Sequence, residues 1–246
     1  MIAWRSLIVV FLWLGCQGKG KIEPAFAVVA PSAKDSVELL VTLKDTGAEK
    51  RMRAMGLVDV RELEPSIRVD LMYASPDNFV GKILYKDIRK AFMLPEAALR
   101  LAIAQKHLMA LRPGLRLLIC DAARPMQIQQ LMWDQVKGTD KREYVSNPAN
   151  GGGLHNYGAA VDVTLVDVQG KVLPMGSPVD FFGDEARPDR EEEMVKQGRI
   201  MPEHLDNRCL LRQVMTEAGF RVLSGEWWHF NLMSRQEARK TLRVIE

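Results

Sequence analysis

The sequence predicts an α+β fold in a single domain, with a central antiparallel or mixed sheet and flanking helices. Three observations carry this. Helical and strand patterns do not alternate regularly, as a parallel βαβ arrangement would require. One stretch, Leu94 to Gly114, has a long amphipathic helical pattern that ends at Pro113-Gly114. Near the C-terminus, "FRVL" and "WWHFNL" flank Ser224-Gly225 and read as a strand pair. The 246 residues, 47% apolar and 26% charged, suffice for one ordinary core. A net charge of +3, with no basic stripe interleaved with aromatics, argues against a nucleic-acid partner.

The chain opens with "MIAWRSLIVVFLWLGC", which has one Arg, an apolar run from Leu7 to Leu14, and Gly15-Cys16. Residues 1–16 read as a signal peptide, because the run is too short to span a bilayer. Small-then-Cys resembles a lipoprotein processing site, so export to the cell envelope and a membrane tether through lipidated Cys16 are expected. Cleavage after Ala27 and an uncleaved anchor are the alternatives. Residues 17–35 lack periodicity and read as a tether, leaving 36–246 as the folded domain.

Within that domain "IRVDLMYA", Ile67 to Ala74, alternates as a strand does. The helix from Leu94 follows, with His107 near its end as a solvated residue facing the dipole. "LRLLIC" is a buried strand running into "DAARP", and Pro125 starts the helical "MQIQQLMWDQV". "AAVDVTLV" is a further strand. "NRCLLRQVMTEAGF" is a helix stopped by Gly219, preceded by His204 at a solvated helix start. In an oxidising compartment Cys120 and Cys209 could pair, but Cys120 reads better as a small buried thiol.

The chemistry concentrates in three motifs. In "AAVDVTLV" the period of two puts Ala160, Asp162 and Thr164 on one face, and Val161, Val163 and Leu165 on the other. A carboxylate on a strand floor needs a cation or donors beside it. His155 is presented by a flexible Gly151-Gly152-Gly153 approach and can fold back over the same face. A His nitrogen and an Asp oxygen converging suit a metal of the zinc type, on the sheet face. "GEWWHF" offers His229 as a third ligand. Three residues apart on a strand means opposite faces, so Glu226 is expected in the Ser224-Gly225 turn, swung back toward the metal. There it can act as the base of a hydrolytic site. Arg124 in "CDAARP" lies just past a buried strand and can neutralise an oxyanion; alone, it reads equally as a helix cap or a partner of Asp121.

"LHNYGAAVDVTL" with "GEWWHF" resembles the zinc D-alanyl-D-alanine dipeptidases of the VanX type. The similarity runs from about Ile67 to Asn231, through "DLMYASPDNFVGK", "DAARP", "VDVQGKVLPMGSPVDFF" and "NRCLLRQVMTEAGF". It implies one zinc per chain on His155, Asp162 and His229, with Glu226 as catalytic base and Arg124 as oxyanion stabiliser. It further implies that Tyr73 and Asp180 hold the free ammonium of a small dipeptide. The chain departs from the family at Gly153, where Ser is frequent, and at "DAARP", where Asp-Gly-Tyr-Arg-Pro is frequent. Both departures bear on substrate preference. The rival readings are a D,D- or L,D-carboxypeptidase trimming peptidoglycan stems, and a zinc-bearing binding module without activity.

Overall fold

The computed structural model describes residues 44–246. The expected leader with Cys16 and the expected tether at 17–35 lie outside the described residues. Five strands form a mixed sheet in the order β2 (Arg68–Val69), β4 (Leu115–Asp121), β5 (Ala160–Asp167), β7 (Glu226–Asn231) and β6 (Arg221–Leu223). β2 runs parallel to β4, and the other neighbours are antiparallel. A separate two-residue ladder joins β1 (Val58–Asp59) to β3 (Phe92–Met93). The helices, in chain order, are α1 (Gly47–Ala54), α2 (Val60–Leu63), α3 (Pro95–Leu111), α4 (Met126–Val136), α5 (Glu191–Lys196), α6 (Pro202–Glu217) and α7 (Arg235–Thr241). The α+β class expected from the irregular order of patterns is the class observed.

α3 and α6 pack on each other; α3 also lies against β4, and α6 against β5 and β7. Each begins on a proline, whose missing N–H is no loss in a first helical turn. Ala97, Leu101, Ala104 and Leu108 form the buried stripe of α3. Gln105, fully buried beside them, accepts a hydrogen bond from the Leu117 N–H at 2.7 Å and ties the helix to β4. Val161, Val163 and Leu165 enter the core, as the alternation requires. Asp162 and Thr164 on the opposite face are buried as well, because loops cover that face of the sheet.

β4 carries an irregularity that matters. Ile119 pairs with Val163, yet Asp121 pairs with Asp162, so Cys120 is an extra residue between them. Such a bulge re-aims the residue that follows it. Directly opposed residues of antiparallel strands share a face, and Asp162 is itself opposite His229. Asp121, Asp162 and His229 thus form a row across three strands. Cys120 is a buried free thiol, and Cys209 is exposed and free.

Two expectations change. The strand read over Ile67 to Ala74 pairs only at Arg68–Val69, and Met72–Ala74 form a 3-10 turn. The turn is closed from outside, since the Tyr73 carbonyl accepts the N–H groups of Leu84 and Tyr85 at 2.9 and 2.8 Å. Tyr73 therefore reaches the site from a turn. Glu226 likewise is not in the hairpin turn but is the first residue of β7, opposite Leu223 where the β6–β7 register slips. That slip releases it from strict alternation, and its carboxylate comes to the same side as His229.

Candidate active site

His155 stands in a 3-10 turn, Leu154–Tyr157, and is buried. The approach to it is fixed. Gly152 has φ 65°, and a Cβ there would lie 2.3 Å from Asn156 Oδ1, the atom that accepts the Gly153 N–H at 2.8 Å. The glycines permit close backbone packing here; they do not supply flexibility. His155 Nδ1 donates to the Ala122 carbonyl at 2.8 Å, which leaves Nε2 as a lone pair facing the site. On β7, His229 Nε2 donates to Asn231 Oδ1 at 2.9 Å and leaves Nδ1 facing the same point. Asp162 Oδ1 completes a triangle with edges of 2.9 Å to His229 Nδ1, 3.4 Å to His155 Nε2, and 3.2 Å between the two nitrogens.

Three atoms with lone pairs facing one point form a site able to receive a cation. Tetrahedral ligands at about 2.0–2.1 Å from zinc stand roughly 3.3 Å apart, which these edges match. The donor set fits a zinc-type ion, and these three residues form the cluster able to hold a metal among the described residues. Burial alone would raise the Asp162 pKa; His155 and then His229 overcome it and hold the carboxyl well below its usual range. The triangle therefore keeps its anionic ligand.

Glu226 Oε2 lies 3.8 Å from His229 Nδ1, beside the triangle but outside it. Burial pushes its carboxyl up to about 7, against the pull of His229. Arg124 faces the site from just past β4. Its Nε and Nη2 donate to Asp121 Oδ2 at 3.0 and 2.5 Å, and its Nη1 to Gln129 Oε1 at 2.9 Å. Nη2 is 4.0 Å from Asp162 Oδ2. The pairing with Asp121 is real, and it aims the guanidinium at the triangle instead of taking it away. Asp121 is fully buried and also accepts the Tyr85 hydroxyl at 2.6 Å.

On the other side of Arg124, its guanidinium carbon lies 5.2 Å from the Tyr73 ring centre. The Tyr73 hydroxyl donates to Asp180 Oδ2 at 2.5 Å. Asp180 has φ 62°, the one positive value outside glycine among the described residues. Aspartate tolerates that region better than most side chains, and such residues gather at functional sites. Burial, and then the charge of Asp162, push its carboxyl up to about 7. A cleft of about 460 Å³ joins these groups. One wall is a run of ring contacts: Tyr73 to Phe79 at 6.4 Å, Phe79 to Phe182 at 5.1 Å, and Phe182 stacked on Tyr144 at 4.7 Å.

All seven residues singled out from the sequence meet in this cleft. His107 and His204 do not. His107 is exposed, 3.4 Å from Glu217 Oε2, and His204 Nδ1 accepts the Met201 N–H at 3.0 Å as a cap on α6. Sequence reasoning missed Gln129, Asn156 and Asn231 as positioning residues. Asn156 follows His155 and Asn231 lies two residues beyond His229, which was a usable signal; Gln129 lies on α4 in an unremarkable polar position.

A triangle able to hold a metal, with a carboxyl beside it and an anchored guanidinium across from it, fits a metal-dependent hydrolase. Comparison with known proteins narrows the class. Residues 53–246 match the family model described as D-Ala-D-Ala dipeptidase, of the M15 peptidases. The chain belongs to that family. It is 35% identical over 176 residues to the D-alanyl-D-alanine dipeptidase of Escherichia coli K12, covering 72% of this chain and 84% of that protein. The proteins of the same name from Enterococcus faecalis V583 and Streptomyces coelicolor A3(2) are each 29% identical, covering 72% and 70% of this chain and 92% and 89% of theirs.

Proposed function

We propose that this chain is a zinc dipeptidase, with one zinc per chain on His155, Asp162 and His229, that hydrolyses D-Ala-D-Ala or a related dipeptide ending in a D-amino acid. The D configuration is taken from the names of the relatives. The observation that carries the reading is the Tyr73–Asp180 pair, a carboxylate and a phenol facing the same cleft as the triangle. Export and a tether through lipidated Cys16 are part of the proposal, and they rest on the pattern of residues 1–16 alone.

Bound in the triangle, zinc supplies Lewis acidity, which lowers the pKa of water and polarises a carbonyl. The protein does the rest. The Glu226 carboxylate takes the proton of the attacking water and delivers it to the departing amine. Arg124 donates through its Nη2 side to the oxygen on which charge develops, while Asp121 and Gln129 keep the guanidinium from turning. Tyr73 and Asp180 hold the ammonium one residue from the cleaved bond. Arg124→Lys should therefore lower kcat by about 10²-fold with zinc content unchanged, because an ammonium cannot be held by Asp121 and Gln129 together and still face the oxyanion. Steady-state rates with elemental analysis check this; a near-normal rate would give Arg124 a structural role.

The deciding experiment compares D-Ala-D-Ala with its N-acetyl derivative. A carboxylate desolvated to meet an ammonium is left unpaired when acetylation removes the charge. Hydrolysis should fall by roughly 10²-fold or more. Asp180→Asn, which keeps a side chain suited to φ 62°, should lower kcat/KM for the free dipeptide and narrow the gap. Efficient release of D-Ala from the acylated peptide would decide for a carboxypeptidase.

A further inference from the structure

A second cavity lies next to the metal triangle on the same face of the sheet. Thr164 is two residues beyond Asp162 on β5, so both side chains leave one face. Leu118 of β4 stands opposite Thr164, as Asp121 stands opposite Asp162. The Leu118–Thr164 pair is thus the next row along the sheet, and it lines a cavity of about 290 Å³. Among the described residues, none lines both this cavity and the cleft of the candidate active site.

Its walls nevertheless come from elements that also serve that cleft. Met72 precedes Tyr73, Cys120 precedes Asp121, Val179 precedes Asp180, and Trp227 follows Glu226. The Trp227 ring is held in place, since its Nε1 donates to Ser177 Oγ at 2.9 Å. A molecule in this cavity therefore rests against the chain neighbours of four groups that face the other one.

The lining says what kind of molecule fits. Thr164 is 2% exposed, and its hydroxyl has no hydrogen-bond partner among the described residues. A buried hydroxyl left without a partner costs stability. Around it the lining is mostly apolar, with Leu118, Met175 and Trp227. Asp70 and Asp77, both exposed, put carboxylates at the mouth, and among the described residues no cation lines the cavity. Such a mouth repels an anion. A polar tip, an apolar body and an ammonium at the outer end would match the hydroxyl, the walls and the carboxylates in turn.

We infer that this cavity is a second ligand site, for a small amphipathic amine whose polar tip bonds the Thr164 hydroxyl and whose ammonium faces Asp70 and Asp77. Its occupancy changes the KM for the dipeptide through the shared elements. The site itself stands apart from the dipeptidase reading, and only the coupling rests on it.

The test uses tyramine as the probe, with phenethylamine lacking the hydroxyl and hydroxyphenylpropionate lacking the ammonium. Each is titrated into the purified protein and followed by protein NMR, which reads the millimolar binding expected of so small a ligand. Tyramine should bind about 3- to 10-fold tighter than phenethylamine, the scale of one hydrogen bond. The anion should not bind. Thr164→Val should reduce tyramine to the level of phenethylamine and leave phenethylamine unchanged. Asp70→Asn with Asp77→Asn should weaken both amines about 2- to 5-fold, the scale of exposed charge pairs. Tyramine at saturation should change the KM for D-Ala-D-Ala by about 5-fold or more, and the change should vanish in Thr164→Val at the same concentration.

No binding of tyramine overturns the site. So does binding that survives Thr164→Val and is lost in Asp180→Asn, which would put the amine in the cleft. A clearly lower melting temperature in ligand-free Thr164→Val also overturns it, because the hydroxyl would then be bonded already. Binding without a change in KM overturns the coupling. Absence of dipeptide turnover overturns the proposed function and the coupling with it, while the titrations still decide the site.

Discussion

Glu226→Gln is expected to keep its zinc and to lose turnover of D-Ala-D-Ala by 10²- to 10⁴-fold, the range of a missing general base. The substitution preserves size and hydrogen bonding but removes the group that accepts a proton. Glu226 Oε2 is 3.8 Å from His229 Nδ1, beyond the 2.9–3.4 Å edges of the ligand triangle, so the metal should not depend on it. Steady-state kinetics and elemental analysis on one preparation decide the matter. Zinc falling in step with activity would make Glu226 a ligand, and the triangle would have to be redrawn.

His229→Ala should lose both zinc and activity while remaining folded. Two ligands leave a hydrolytic zinc under-coordinated, since such sites use three protein ligands with an open fourth position. Asn231→Ala provides the internal scale. It removes only the acceptor behind His229 Nε2, 2.9 Å away, and should weaken zinc by about 10- to 100-fold. The loss in His229→Ala should exceed that, with far-ultraviolet dichroism unchanged. Full zinc occupancy in the His229→Ala protein would refute the three-ligand assignment.

Much of this site was legible because its residues belong to regular elements with simple periods. Asp162 sits in a period-two run, and the alternation alone placed it opposite Val161 and Val163. The helix over Met126 to Val136 was legible from its flanking proline, and the apolar run Leu115 to Cys120 gave all but the last residue of the strand Leu115–Asp121. What resisted reading depends on pairing between distant segments. The bulge at Cys120 decides that Asp121 shares a face with Asp162, and no local pattern announces an extra residue in a strand. The slip between Val222 and Leu223, which frees Glu226 from alternation, is of the same kind. Tyr73 was assigned to a strand because "IRVDLMYA" alternates, but the partner strand supplies pairing for only two residues. The three glycines before His155 were taken for a flexible loop, whereas Asn156 packs so closely against Gly152 that only glycine fits. Gln129 could not be found at all, since its role comes from meeting Ser146 and Arg124 in space.

The Tyr73–Asp180 contact also defines where the enzyme stands among other reactions. It joins residues 107 positions apart and stands with the aromatic wall of Phe79, Phe182 and Tyr144 along one side of the cleft. Under the proposed reading the pair engages the free ammonium of the substrate, so a chain extended at that nitrogen loses its partner there and the enzyme gains nothing from substrate length. Under the proposed reading it leaves an intact peptide network untouched, however abundant the enzyme becomes. Its flux is set by the pool of free dipeptide, which some separate synthesis or hydrolysis must fill. Its own output is two free amino acids, so it drains that pool rather than feeding further peptide cleavage.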